Sequence, residues 1–321
     1  MRFSPRTVGL AAAIVTVLIW TSFIVIARAS AARTLLPLDI ALLRILGASS
    51  VLLPWAWWRM RPARRRGERV GSLLGLSPLP LRQTVQAGFF GGLLYAVLAY
   101  AGFFYAPAAH ASVLMPGSLP LWTTLLAWLV LRESVSSTRA LGLGCIVLGD
   151  LLVGGLSLLK ALEGGEVWKG DLLFMSAAFC WSAYTVTVRR QGLDAVRATM
   201  AITAFAFAVF VPVFALATGM GWWPTHIGQA PWSEVLFQAA FQGGGSVVIS
   251  GITFTQMVRH YGPVRTTMIT ALVPGLSALG AVAVLGEPMH WNLLAGLTLV
   301  TGGILLGVRA ARPAATPGAT T

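Results

Sequence analysis

Gln238, Gln242, Ser246 and Ser250 recur every fourth residue, with Thr253 close behind, in a stretch that is otherwise apolar. On an α-helix that spacing keeps the row on one face. In hydrocarbon an unsatisfied amide costs several kcal/mol, so such a face must meet protein or a water-filled cavity. Two readings stay open: hydrogen bonds that join helices, and the polar wall of a solute path. Gly243, Gly244 and Gly245 interrupt the row and read either as a close-packing surface or as a hinge beside a site. Trp20 and Trp181 stand 12 and 11 residues into their apolar runs. At 1.5 Å per residue each is roughly 17–18 Å from the membrane face it enters by, near the midplane. Trp122, Tyr95, Tyr184 and Tyr100 add rings at similar depth. The chemistry these types suit is reversible binding: rings stack on a flat solute while amides and hydroxyls replace its water.

Groups for bond-making chemistry are scarce. His110 alone of the histidines lies within a span, near its end, while His226, His260 and His290 fall in loops or at helix ends. Cys145 and Cys180 sit in apolar runs, so no disulfide framework, metal site or cofactor is expected. No G-x-x-x-x-G-K-[ST], H-E-x-x-H or G-x-S-x-G is present, and Ser157-Leu-Leu-Lys160 is an S-x-x-K without its companion motifs. An intramembrane lipid-modifying enzyme would need a tight polar cluster at one face, and the sequence supplies none. Glu133 and Glu287 close apolar runs and are expected at opposite interfaces. Asp150 and Arg44 lie within spans at similar depth, which leaves an ion pair between them open.

The elements that position these groups are membrane spans. The 321 residues are 56% hydrophobic and only 10% charged, with mean hydropathy +0.78. A soluble surface needs about a quarter of its residues charged. Runs long enough to cross roughly 30 Å of hydrocarbon fall at 8–28, 37–58, 83–105, 107–131, 138–158, 170–189, 197–218, 233–257, 263–286 and 290–309. The first run is longer than the core of a cleavable signal and is read as a span. With the N-terminus inside, 18 of the 23 Lys and Arg fall in inner segments. The positive-inside rule thus places both termini in the cytoplasm of a cell's inner membrane. The formal charge of +13 is a topology signal, with the cluster from Arg59 to Arg69 against anionic lipid and not nucleic acid.

The chain also repeats itself. Tyr105-Ala-Pro107, Pro120 and Glu133 return as Tyr261-Gly-Pro263, Pro274 and Glu287; Gly142 and Gly149 fall on Gly296 and Gly303 at an offset of 154. Trp20 with Arg28 returns as Trp181 with Arg189. We expect an all-α membrane protein of ten helices in two five-helix repeats, at 1–161 and 162–312, with a tail at 313–321. Five is odd, so the second repeat is inverted, an architecture of secondary transporters. Pro120 and Pro274 each remove an amide and free a carbonyl four residues back, at Pro116 and Thr270. Their recurrence in both repeats marks them as hinges beside a site. Pro107 to Pro120 spans 13 residues but Pro263 to Pro274 only 11, so the symmetry is imperfect.

These tandem motifs, with Trp20-Thr-Ser-Phe23, Arg44 and Gly170-Asp171, resemble the drug/metabolite transporter superfamily, in particular its EamA-type exporters and among them the YddG-type exporters of aromatic amino acids. The resemblance implies export of small amphipathic solutes, amino acids included, by alternating access. The alternative is a broad drug or metabolite exporter. The expected substrate site is Trp20, Tyr95, Trp122, Trp181, Tyr184, Gln238, Gln242, Ser246 and Ser250, with Pro120, Pro274 and Gly243–Gly245 as hinges.

Overall fold

Apolar runs of this length can satisfy their backbone in lipid only by coiling, and the long runs are helical. The computed structural model describes residues 5–66 and 71–309. The tail at 313–321 and Arg69 of the basic cluster lie outside the described residues. The first repeat contains α1 (Pro5–Ala31), α2 (Pro37–Arg65), α3 (Leu81–Tyr105), α4 (Ala108–Leu131) and α5 (Ser137–Lys160). The second contains α6 (Val167–Arg190), α7 (Ala195–Gly219), α8 (232–270), α9 (Leu272–Leu285) and α10 (Trp291–Arg309). Among the described residues nine helices are long and apolar enough to span a membrane, and α9 is the shorter tenth. This is a multi-pass membrane protein.

The boundary between the expected spans 233–257 and 263–286 is corrected. Helix runs on from Ser250 through Tyr261 and Pro263 to Thr270, and the chain breaks instead at Ala271, three residues before Pro274. In α4 the equivalent interruption is at Ser118, two residues before Pro120, which then occupies the first turn of Leu119–Leu131. A proline costs least in a first helical turn, where its missing amide had no partner to lose. Both prolines thus restart a helix just past a break. The first-repeat motif behaves differently from its copy at the preceding joint: Ala106 is extended (φ −125°, ψ 153°), as expected of a residue before proline.

Helices are exchanged between the halves. α1 packs on α8 and α9, and α6 packs on α3 and α4. α5 and α10 cross at the recurring glycines. A Cβ on Gly142 would stand 2.6 Å from the Gly303 carbonyl oxygen, and one on Gly149 would stand 2.7 Å from that of Gly296. Each glycine therefore meets the repeat-mate of the other, as a two-fold relation between antiparallel helices requires.

The buried core joins both repeats. Its main cluster includes Phe23, Ile24 and Ala27 on α1, Ile40–Ile45 on α2, Ala96–Phe103 on α3, Ala108–Met115 on α4 and Phe174 and Ala177 on α6, in the half of the bundle next to Glu287. It runs along α5 and α10 through Ile146, Val300 and Ile304 to Val308 near the opposite face. Among the described residues two smaller clusters lie on the Glu133 side, around Leu52 with Val248 and around Met60 with Met200, and Ala198, Ala201 and Ile202 of α7 are buried there too.

The glycine crossing sets a test. Gly303→Ala would put a methyl 2.4 Å from the Gly142 carbonyl oxygen, whereas a Cβ on Gly302 meets nothing within 4 Å. Overpacking of this kind typically costs about 1–3 kcal/mol. Thermal unfolding in detergent should show Gly303→Ala clearly less stable than wild type and Gly302→Ala equal to it or better.

Candidate functional site

The midplane aromatics meet across the repeats. Trp181 of α6 packs on Tyr95 of α3 at a ring-centroid distance of 5.0 Å, and on Tyr184 one turn along at 5.3 Å. Tyr184 in turn lies on Gly91, where a Cβ would come within 2.6 Å of the ring. In the other half Trp20 of α1 stacks on Phe254 of α8 at 5.3 Å. Each midplane tryptophan thus rests on an aromatic of the opposite repeat. Trp122 goes elsewhere: it meets Phe179 edge-on, and its indole Nε1 is buried without a hydrogen-bond partner.

The polar row of α8 does not lie on a plain α-helix. Residues Ala239–Ile249 are π-helical, as are Phe89–Leu94 in α3. The expected single α-helical face is corrected accordingly: the wider winding shifts each fourth residue around the axis. Glycines offer no side-chain packing to oppose it. Gly243 is needed for contact, since a Cβ there would come within 2.6 Å of the Gly47 backbone on α2, while Gly244 has nothing within 4 Å. Gln238 donates through Nε2 to Ser30 Oγ at 2.6 Å, and Tyr100 donates to Gln242 Oε1 at 3.0 Å. Ser250 donates to the Ser246 carbonyl at 2.8 Å. The packing role is therefore present, yet capacity is left over. Gln238 Oε1, Gln242 Nε2 and Ser246 Oγ are buried and have no partner in the protein. They offer one acceptor, one amide donor and one hydroxyl.

Two ion pairs lock the halves at opposite faces, and they are copies of one another. Arg28, at the end of α1, reaches Glu287 after α9 at 3.4 Å; Arg189, at the end of α6, pairs with Glu133 after α4. Arg28 and Arg189 are repeat-mates, as are Glu287 and Glu133. Their surroundings differ. Glu287 also accepts from the amides of Ala108 and Ala109, at 2.9 and 3.0 Å, and so caps the first turn of α4. Its side chain is 12% exposed, against 37% for Glu133. An N-terminal turn with its free amides is a natural anion site.

The profile of the EamA-like transporter family matches twice, over residues 7–155 and 168–309. The chain belongs to the EamA-like transporter family. Two relatives are described as uncharacterized transporters. YyaM of Bacillus subtilis is 28% identical over 68% of this chain and 69% of its own length. One from Archaeoglobus fulgidus is 26% identical over 89% and 93%. A solved crystal structure matches with TM-score 0.57 at 21% identity, covering 96% of this chain and 98% of that one, a likeness of fold.

For a member of this family, membership and geometry both argue against an enzyme. One polar cluster escaped the sequence: His110 Nδ1 lies 2.9 Å from Asp171 Oδ1, and Ser157 donates to Asp171 Oδ2. The aspartate stands between the other two, so the histidine is not placed to take the serine's proton as in a nucleophilic triad. The cluster ties α4, α5 and α6 together at the Glu287 face. Its only signal was that all three residues fall near span ends on that face. Arg44 and Asp150 do not pair. Arg44 donates to the Gln242 carbonyl at 3.3 Å and lies over the Phe23 ring at 5.6 Å, while both carboxylate oxygens of Asp150 are buried without a hydrogen-bond partner.

Glu287→Ala removes a charged acceptor from three donors in a mostly buried setting, where such hydrogen bonds contribute about 1.5–3 kcal/mol each. Glu133→Ala breaks a more exposed pair, for which about 0–1 kcal/mol is typical. Thermal unfolding in one detergent should therefore fall well below wild type for Glu287→Ala and stay near it for Glu133→Ala.

Proposed function

We propose that this transporter exports small amphipathic solutes, amino acids and aromatic ones among them, by alternating access. The single observation that carries the reading is the pair of repeat-related locks, Arg28–Glu287 and Arg189–Glu133, equal in sequence position and unequal in burial. Two inverted halves joined by equivalent latches have two equivalent closed forms, one per face. Strengthening one latch while the other loosens exchanges them. The deeper burial of Glu287 agrees with closure at the Glu287 face. On the positive-inside reading, with both termini in the cytoplasm of the inner membrane, that face is the outer one. Both locks are formed in the state described, and the better buried one closes the outer face, which leaves the cytoplasmic face, where an exporter loads, the easier to open.

The site proposed lies between the two aromatic pairs, beside the row on α8. Tyr95, Trp181 and Tyr184 form one wall and Trp20 the other. The unpartnered atoms of Gln238, Gln242 and Ser246 face a zwitterion with donors and acceptors but no fixed charge, so the solute is not trapped by ion pairing. Pro120 and Pro274, beside the breaks at Ser118 and Ala271, are the hinges by which α4 and α9 bend. The likeness to YddG-type exporters supports aromatic amino acids as the class. Trp122, turned to Phe179, is left out of that wall.

Counterflow in proteoliposomes tests this with labelled tryptophan, phenylalanine and alanine, with and without a proton gradient. A lost ring contact is worth about 0.5–1.5 kcal/mol, so Trp181→Ala should weaken aromatic substrates roughly 2- to 13-fold. Ser246→Ala removes a hydroxyl that bonds nothing in the protein, so it should lower transport without lowering stability. Trp57→Ala and Trp222→Ala, at the membrane boundaries, should leave transport unchanged. Exchange of unrelated aromatic drugs with none of the amino acids would replace the narrow reading by the broad exporter.

Orientation has its own measurement. Gly228 has nothing within 4 Å of an added Cβ and accepts a cysteine. In a background lacking Cys145 and Cys180, Gly228→Cys should react with a membrane-impermeant maleimide on intact cells. Labelling only after lysis would reverse the assignment of faces.

A further inference from the structure

At the Glu133 face a cavity of about 480 Å³ opens between α3, α4 and α6. Arg82, the second residue of α3, and Arg190, the last of α6, stand on its rim, and no acidic residue lines it. Neither arginine makes an ion pair or hydrogen bond among the described residues. Deeper in, Gln191 donates through Nε2 to Gln86 Oε1 at 2.7 Å, which leaves Gln191 Oε1 buried and without a partner. An apolar strip of the wall is formed by Leu126 and Val130 in the last two turns of α4, and Gln83 and Thr187 also line the cavity. Val130 is also exposed, as are its neighbours Trp128 and Leu129, so this wall is continuous with the outer apolar surface of the bundle.

We propose that this cavity binds the headgroup of an anionic phospholipid, a phosphodiester that carries a free hydroxyl. The two guanidiniums supply donors in the fork geometry that suits phosphate oxygens. The orphaned Gln191 carbonyl needs a donor, and an anion alone brings none; a headgroup hydroxyl does. Helix ends fix the depth, because Arg82 and Arg190 mark the level where a span meets the headgroups. Basic pockets between helices at that level are suited to anionic lipid. The acyl chains leave along Leu126 and Val130. A soluble phosphate or carboxylate would use the same guanidiniums but would gain nothing from that apolar wall.

The cavity is distinct from the transport site proposed above. Ala183, Thr187 and Arg190 line it from the side of α6 turned away from Trp181 and Tyr184, by helix spacing. The inference therefore does not depend on which solute is carried. The bound lipid bridges α3 and α4 of the first repeat to α6 of the second, at the Glu133 face.

Native mass spectrometry of the full chain in detergent is the test, titrating phosphatidylglycerol, phosphatidylcholine and glycerol 3-phosphate separately. Wild type should retain phosphatidylglycerol well beyond the other two. At about 1 kcal/mol for each basic residue near a membrane surface, Arg82→Ala with Arg190→Ala should weaken retention about 30-fold. Gln191→Leu should weaken it, and because it also gives up the hydrogen bond to Gln86, it should lower the lipid-free unfolding temperature slightly. Arg59→Ala with Arg61→Ala, at the far end of α2, should bind as wild type does. If the double variant fails to fold, Arg190→Gln alone should still show a loss of about fivefold. Equal retention by the arginine variants, or equal binding of phosphatidylcholine, would overturn the site. Binding of glycerol 3-phosphate as tight as that of the lipid would overturn the lipid assignment and leave a soluble-anion site.

Discussion

Arg28–Glu287 and Arg189–Glu133 join the repeats at the two membrane faces, and much of the remaining structure can be understood as what those pairs require. Each arginine ends the first helix of one repeat, and each glutamate follows the fourth helix of the other. For both pairs to form, α1 must lie with α8 and α9, and α6 with α3 and α4. That exchange brings Trp20 onto Phe254 and Trp181 onto Tyr95 at mid-depth. The glutamates are delivered by a chain reversal in which Arg132 and Gly286 both adopt left-handed conformations. Glycine does this freely, whereas arginine pays a steric penalty of roughly 1–2 kcal/mol. The second repeat therefore holds the easier version of the turn, and it is the one that carries the better buried pair.

The difference between the two locks comes from what else surrounds the glutamate. At Glu287 the chain before α4 is extended at Ala106, so the amides of Ala108 and Ala109 are left free to be capped. At the corresponding joint of the second repeat the helix runs on to Thr270, so its amides are already used within the helix. One sequence motif thus takes two conformations in one molecule. On the function proposed, this inequality is what the transport cycle would invert.

The polar row of α8 is only half used by the protein itself. Gln238 and Gln242 each use one end of the amide to join helices and leave the other end buried and unsatisfied. The π-winding of Ala239–Ile249 and the bare backbone of Gly243 against Gly47 let α2 come close enough to hold that segment. The joined ends tie α8 to its neighbours, and on the function proposed the free ends are what the solute would bind.

Repetition and hydropathy in the sequence determined the ten helices and the two repeats. These follow from local rules: a span must be apolar and helical, and a duplicated motif keeps its spacing. The midplane depth of Trp20 and Trp181 followed from counting residues. The tertiary structure decided who meets whom. Trp122 turned to Phe179 and Arg44 turned to the Gln242 carbonyl instead of Asp150. His110, Asp171 and Ser157 came together from three helices. Helix 8 ran through Pro263 where its equivalent broke, and its central turns widened into π form. Each of these depends on the order of helices around the bundle and on contacts between residues far apart in the chain. A pattern along one helix specifies a face; only the neighbours packed against it specify what that face touches.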